Sequence, residues 1–326
     1  MPVDELLPPR LSIGTAAALD LIKLKTDVLP TTAYLMLGER CGANCLFCSQ
    51  ARESAAPASR LSRVTWPRFK PAEALGGLKR AVRSGLIRRI CLQVVNNPGI
   101  LEDAVAWVLI LGREFPVPVC VSTSPLTPVS TERLFTSGAD RISFPLDAAT
   151  PKLFKKIKGG DFKGRLGRLL RESQSHPGRI MTHLIAGIGE SEEDIITLIR
   201  DLAEKEIGTG LFAFTPVRGT PMQNQPPPDL SSYRRIQLAH FLIRNDIFKA
   251  FSFSGGNLCL KSIPGRFLKP EIIGEAFRTS GCPDCNRPYY NERPGGALYN
   301  FPRPLSREET RQALARAAEE SKGSLV

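Results

Sequence analysis

The sequence predicts an α/β protein built as a partial or complete TIM-type (β/α) barrel with N-terminal and C-terminal extensions. Three observations predict it. From residue 31 to about residue 254, short β-branched or apolar runs alternate with longer amphipathic segments. That is the pattern of repeated βα units, which pair in parallel through right-handed crossovers. The chain has 326 residues and 42% hydrophobic content, enough for one large core with appendages. Its tightest group of metal-ligating side chains, Cys41, Cys45 and Cys48, follows the first expected strand, and barrels of this type keep their chemistry at the carboxyl ends of the strands.

Strands are expected at residues 33–37, 90–95, 117–122, 140–144, 179–186, 211–215 and 248–253. Helical patterns fall between them at 72–84, 101–115, 131–137, 162–175, 192–205 and 231–245. In the last, Tyr233, Ile236, Leu238, Phe241 and Leu242 recur at helical spacing, which reads as core packing. The barrel is assigned to 31–255. Residues 1–30 form an N-terminal extension with one helical stretch, 15–25, ending before Pro30. Residues 256–326 form a C-terminal segment that carries Cys282-Pro-Asp-Cys285 and ends in a polar helix at about 306–321. The run Pro226-Pro227-Pro228 is a stiff connector before a helix cap at Asp229 or Ser231.

Composition narrows the function. No run of about 18 apolar residues exists to span a membrane, and Met1-Pro-Val-Asp-Glu lacks the basic-then-apolar order of a secretory signal. Eight cysteines without an export signal point to a reducing cytoplasm and metal ligation. The net charge of +12 is spread over residues 79–83, 88–89, 155–158 and 165–171 on different helices, read as solvated faces. No aromatic-interleaved stripe suggests nucleic acid, so the charge suits an acidic partner protein or anionic cofactors.

Three thiolates spaced as in Cys41-Gly-Ala-Asn-Cys45-Leu-Phe47-Cys48 can hold three corners of a [4Fe–4S] cube and leave the fourth iron open. The alternative is a structural zinc knuckle. Zinc wants four ligands, and no other Cys or His lies within twenty residues. The CxxxCxxC spacing resembles the signature of radical S-adenosylmethionine (SAM) enzymes, whose open iron chelates SAM. Later segments resemble the biotin synthase and lipoyl synthase branch, over roughly residues 31–255.

The resemblance implies a set of SAM contacts. Phe47 resembles the adenine-side packing residue, and Ser49-Gln50-Ala-Arg52 looks like biotin synthase at the same place. Asn96 lies in the stretch that meets the SAM amino group. Asp147, closing Ser143-Phe-Pro-Leu-Asp147, falls where the family binds the ribose; its alternative is a helix cap before Pro151. Ile185 would pack the adenine and Glu190 would fix its loop, with His183 replacing the motif's first glycine. Val217 lies in Thr215-Pro-Val217-Arg218-Gly219-Thr220-Pro221, similar to a biotin synthase segment that contacts adenine. The implied reaction is reductive SAM cleavage to a 5′-deoxyadenosyl radical, fed by a donor such as ferredoxin or flavodoxin.

The chain also departs from biotin synthase. Cys91 and Cys120 align with two cysteines of that enzyme's barrel cluster, but Met181 takes the third position and Phe251 lies near the arginine position. Cys91 and Cys120 are therefore read as small core residues. An auxiliary iron–sulfur cluster is instead expected on Cys282 and Cys285 with Cys259, the alternative being a zinc clip. Arg278-Thr279-Ser280 resembles a lipoyl synthase element, and Asn286-Arg-Pro-Tyr289-Tyr290-Asn-Glu-Arg293 resembles the tail of two-subunit lipoyl synthases. The resemblance implies sulfur insertion into an octanoyl chain on a lipoyl or acyl carrier protein, with a related radical SAM protein as a possible partner subunit. Alternatives are a biotin-synthase-like enzyme acting on a small molecule, or a non-catalytic partner subunit.

Overall fold

The computed structural model describes residues 2–261, 263–292 and 295–319. Arg293 and the end of the expected C-terminal helix, at 320–321, lie outside the described residues. The chain opens with β1 (Arg10–Leu11), α1 (Ile13–Ala18) and β2 (Thr32–Leu37). A long loop then carries the small hairpin β3 (Arg60–Leu61) and β4 (Val64–Thr65). The βα series runs α2 (Pro71–Arg83), β5 (Arg89–Val94), α3 (Ile100–Glu114), β6 (Val119–Ser122), α4 (Pro128–Thr136), β7 (Ala139–Ser143), α5 (Pro151–Ile157) and α6 (Phe162–Ser175). It continues with β8 (Ile180–Ala186), α7 (Glu192–Ala203), β9 (Gly208–Ala213) and α8 (Leu230–Ile243). The hairpin β10 (Phe251–Ser254) and β11 (Asn257–Leu260), then α9 (Pro270–Ile273) and α10 (Arg307–Ala318), complete it.

The sheet has the order β1-β2-β5-β6-β7-β8-β9. β1 pairs antiparallel with β2, and every other neighbouring pair is parallel. The barrel is therefore partial: β9 and β1 are its two edges. Local chemistry sets the helix starts. Thr127, Thr150, Asp161 and Asp229 each accept a backbone N–H at an N-cap, and Ser191 with Asp194 forms a capping box. Such caps contribute about 1 kcal/mol each.

Three expectations change. Residues 248–253 do not add a strand to the sheet; Phe251–Ser254 folds back on Asn257–Leu260, and Leu258 N–H bonds to Glu192. Glu192 is itself buried in an ion pair with Arg235 at 2.7 Å. Helix α1 is only six residues long, ending just before Asp20 in a left-handed turn with φ 59°. β9 starts three residues early, at Gly208, because glycine there leaves room for Met181; an added Cβ would lie 2.2 Å from its sulfur.

The C-terminal segment covers the gap between the sheet edges. Ser280 Oγ accepts the N–H of Leu211, and Asn291 Nδ2 donates to the carbonyl of Ala213, both on β9. A few residues along, Asn286 accepts the N–H of Thr31, while the carbonyl of Asp284 accepts the hydroxyls of Thr31 and Thr32. The tail thus bridges β9 to the start of β2. It satisfies edge groups that would otherwise invite foreign strands.

Candidate functional site

The loop after β2 holds the three-cysteine motif. Gly38, at φ 85°, turns the chain out of the strand, where a Cβ would meet Asn97 at 2.4 Å. Cys41 N–H donates to the Gln50 carbonyl, Gly42 N–H to the Asn96 carbonyl, and Cys48 N–H to the Cys45 carbonyl. Gln50, 2% exposed, donates to the carbonyls of Ala58 and Arg60 and locks the loop from behind. Burial pushes the Cys45 thiol up to about 11 and the Cys48 thiol up to about 12. Both stay protonated until a metal takes the proton's place.

Asp147 lines the same opening as this loop, four residues past the end of β7. Its backbone is left-handed, φ 66°, held between His183 and Ile185 by two main-chain hydrogen bonds. Its carboxylate accepts a 2.6 Å bond from Lys158, which also donates to the Pro145 carbonyl. The cap of α5 is Thr150, so Asp147 is free of that duty. Glu190 accepts the N–H groups of Gly187 and Ile188 and fixes the turn after β8. Gly219 N–H is held by Gln223, and its carbonyl accepts Ala55 N–H, so the loop bearing Val217 lies directly on the cysteine loop.

A cavity of about 890 Å³ runs through the barrel interior. Phe47, Cys48, Asp147, Ile185 and Val217 line its carboxyl end. Asn96, Cys41 and Cys45 line an adjoining cleft of about 550 Å³ that shares Phe47, Cys48 and Asp147. The sequence-predicted SAM-side residues thus gather around one junction.

At the amino end the same cavity meets a second group of thiols. Tyr34, Cys91, Cys120 and Arg141 are register neighbours across β2, β5, β6 and β7. Cys120 Sγ lies 3.4 Å from Cys282 Sγ, and the Tyr34 hydroxyl lies 3.3 Å from Cys285 Sγ. Arg89 donates to Cys120 Sγ at 2.9 Å and pairs with Asp140 at 2.6 Å. Cys91, Cys282 and Cys285 all line the cavity. Contact with Cys120 and then burial raise the Cys282 thiol, and burial raises those of Cys91 and Cys285. Cys259 is not among them. It is exposed on β11, outside the cavity wall, because its hairpin is tied to the helix layer through Glu192. Among the described residues, no three His, Cys, Asp or Glu side chains converge tightly enough to hold a single metal ion.

The family model for the radical SAM superfamily matches residues 35–202. The chain belongs to the radical SAM superfamily. A biotin synthase of Desulforudis audaxviator is 29% identical over 211 residues, covering 63% of this chain and 62% of its own length. A biotin synthase of Sulfurihydrogenibium is 26% identical over 186 residues, covering 56% of this chain and 54% of its own. The matches thus span little more than half the length of these relatives. In fold, the chain is similar to methylornithine synthase, with TM-score 0.50 at 17% identity over 66% of this chain and 62% of that one. It is similar also to the hydrogenase maturase HydG of Carboxydothermus hydrogenoformans, with TM-score 0.51 at 19% identity over 66% and 52%. Membership implies a [4Fe–4S] cluster with SAM. The residues fit that pair: three thiols on one loop, an aromatic beside them and a carboxylate across a shared opening. Among the described residues, no helix is long and apolar enough to cross a membrane.

Sequence reading missed several groups around this radical SAM cavity. Lys158 and Arg165 belong to charged runs expected on solvated faces, yet both line the cleft beside Cys45 and Asp147. Lys158 directly follows α5, whose buried Leu153, Phe154 and Ile157 turn its end inward. Cys91 carried a readable signal: Arg89, Cys91 and Gln93 alternate with apolar residues, the phase of a strand with one face on a polar cavity. Arg287, whose guanidinium lies 3.8 Å over the Phe212 ring, had no local signal.

Proposed function

We propose that this chain is a sulfur-inserting radical SAM enzyme acting on an octanoyl chain presented by a lipoyl or acyl carrier protein. The observation that carries the reading is one continuous cavity with the SAM-side residues at its carboxyl end and thiols at its amino end. Cys41, Cys45 and Cys48 would hold the [4Fe–4S] cluster, and Phe47, Asn96, Asp147, Ile185 and Val217 would take SAM. When bound, that pair supplies a 5′-deoxyadenosyl radical, which leaves as 5′-deoxyadenosine after taking a hydrogen atom from carbon. The chain's own tasks are to place that carbon and to exclude water. Leu61, Val64, Phe212 and Tyr290 give the middle of the cavity an apolar wall suited to an alkyl chain. The net charge of +12 suits an acidic carrier and an acidic electron donor such as ferredoxin or flavodoxin, and the eight cysteines suit a reducing cytoplasm. A related radical SAM protein could complete the enzyme as a partner subunit.

The Cys282→Ala/Cys285→Ala double variant tests the reading. It should still cleave SAM and remove hydrogen from an octanoyl-lysyl peptide, and it should form no carbon–sulfur bond. Thiolated product from this variant would overturn sulfur insertion at this end of the cavity. The second reading, a biotin-synthase-like enzyme acting on a small molecule without sulfur insertion, draws on the identity to biotin synthases. It expects one cluster's worth of iron per chain where sulfur insertion expects two.

A further inference from the structure

We infer that Cys91, Cys120, Cys282 and Cys285 form the ligand set of an iron–sulfur cluster at the amino end of the barrel, two thiols coming from adjacent strands and two from the tail. This deepens the sulfur-insertion reading and rests on it for the site's purpose; the ligand set itself rests on geometry.

The strands supply half of it. Cys91 and Cys120 are direct register partners on β5 and β6. The tail supplies the other half through a clamped loop. Ser280 pins the loop's start to β9, and Asn286 pins its end with bonds to Thr31, Leu29 and Pro302. Between these pins, Gly281 at φ 132° and Asp284 at φ 62° fold the chain so that Cys285 N–H reaches the Cys282 carbonyl. Both thiols are then carried to the cavity wall, Cys282 against Cys120 and Cys285 against Tyr34.

The charges around the thiols fit the same occupant. A cluster held by four thiolates carries net negative charge, and cations close by stabilise it. Arg89 already donates to Cys120 Sγ. Arg287 follows two residues after Cys285, lines the same cavity and donates to the Ser280 carbonyl at the start of the clamped loop. Loading exchanges four thiol protons for iron–sulfur bonds, with iron and sulfide supplied from outside the chain. Cys259 has no part in this set, since it is exposed on the outer hairpin.

The test uses the full chain with Cys41, Cys45 and Cys48 all changed to Ala, so that any remaining cluster is the second one. After anaerobic reconstitution with iron and sulfide, this variant should hold iron and acid-labile sulfide in equal amounts and show thiolate-to-iron absorption. Adding Cys91→Ser, Cys120→Ser or Cys282→Ser should remove most of that iron, whereas adding Cys259→Ser should leave it unchanged. Circular dichroism melting identifies any variant that has lost its fold, and Cys285→Ser then replaces it in the comparison. Zinc in place of iron, no iron at all in the folded triple variant, or iron lost with Cys259 and kept without Cys91 would each overturn the assignment. Iron bound by these four thiols in a wild-type chain that makes no carbon–sulfur bond would instead sink the sulfur-insertion reading and leave the site standing.

Discussion

The two ends of the barrel cavity gather thiols in opposite ways. At the carboxyl end, Cys41, Cys45 and Cys48 lie within one loop, held by main-chain hydrogen bonds within it, by Gln50 from behind and by a bond from Gly42 to the Asn96 carbonyl. At the amino end, Cys91 and Cys120 come from two strands, and Cys120 meets Cys282, a tail cysteine 162 residues farther along. The loop site draws all three thiols from one short segment. The composite site forms only after the sheet has registered and the tail has docked. From the Cys91 rung to the end of β5 is three residues, roughly 10 Å at strand rise, which leaves an alkyl-sized space between the two ends. Their surroundings differ too: Lys158 and Arg165 line the cleft at the carboxyl end, whereas at the amino end Arg89 donates to Cys120 and Arg287 lies over the Phe212 ring.

The largest effect should separate the ends completely. Cys45→Ala should abolish 5′-deoxyadenosine formation under dithionite, as measured by chromatography, while Cys285→Ala leaves it intact. Equal loss in both variants would erase the distinction. Next comes Asp147→Ala, which removes an acceptor meant for the SAM ribose. SAM affinity should fall by roughly 1.5–3 kcal/mol, the range for hydrogen bonds to a charged group, with iron content unchanged in calorimetric titrations. Unaltered SAM affinity would retire Asp147 as a ligand.

Asn286→Ala probes docking of the tail. It leaves the Thr31 N–H and two carbonyls without their buried partner, a loss of about 1–3 kcal/mol. Limited proteolysis should then cut near residues 281–287, while SAM cleavage persists. Resistance equal to wild type would mean that the tail is held elsewhere.

The smallest effect is acid sensitivity at His183, between the two ends. Burial, then the Arg287 charge, lowers its value from 6.5 to about 4. The unfolded chain therefore binds the extra proton first. The stability that His183 contributes is full above about pH 6.5 and is lost as pH falls toward about 4. His183→Asn should flatten the melting temperature profile over that window. An unchanged slope would assign acid sensitivity to other groups.

Much of the fold was legible because each strand and helix announces itself within its own span. The expected 162–175 helix matches Phe162–Ser175, with Asp161 capping it as an acidic residue before an amphipathic run should. The apolar residues of the hairpin Phe251–Leu260 look like any edge strand; its contacts with Glu192 and Glu193 reveal where it packs. At the site, the three-cysteine loop could be read because ligand spacing along a loop translates directly into reach. Lys158 could not, since a lysine at a helix end reads as solvated unless the partner carboxylate is known.

By itself the sequence determined the βα order, the cysteine loop at the end of the first parallel strand, and the caps that start the helices. All of these are set by interactions among residues close in the chain. Only the tertiary structure decided which thiols share a wall. Cys91 and Cys120 meet through strand register, and Cys282 and Cys285 join them because Ser280 and Asn286 bond to main-chain groups of β9 and of the chain entering β2. Every residue offers such main-chain groups, so composition cannot name the partner. Cys259, by contrast, is kept away by a hairpin that follows Glu192 to the helix layer.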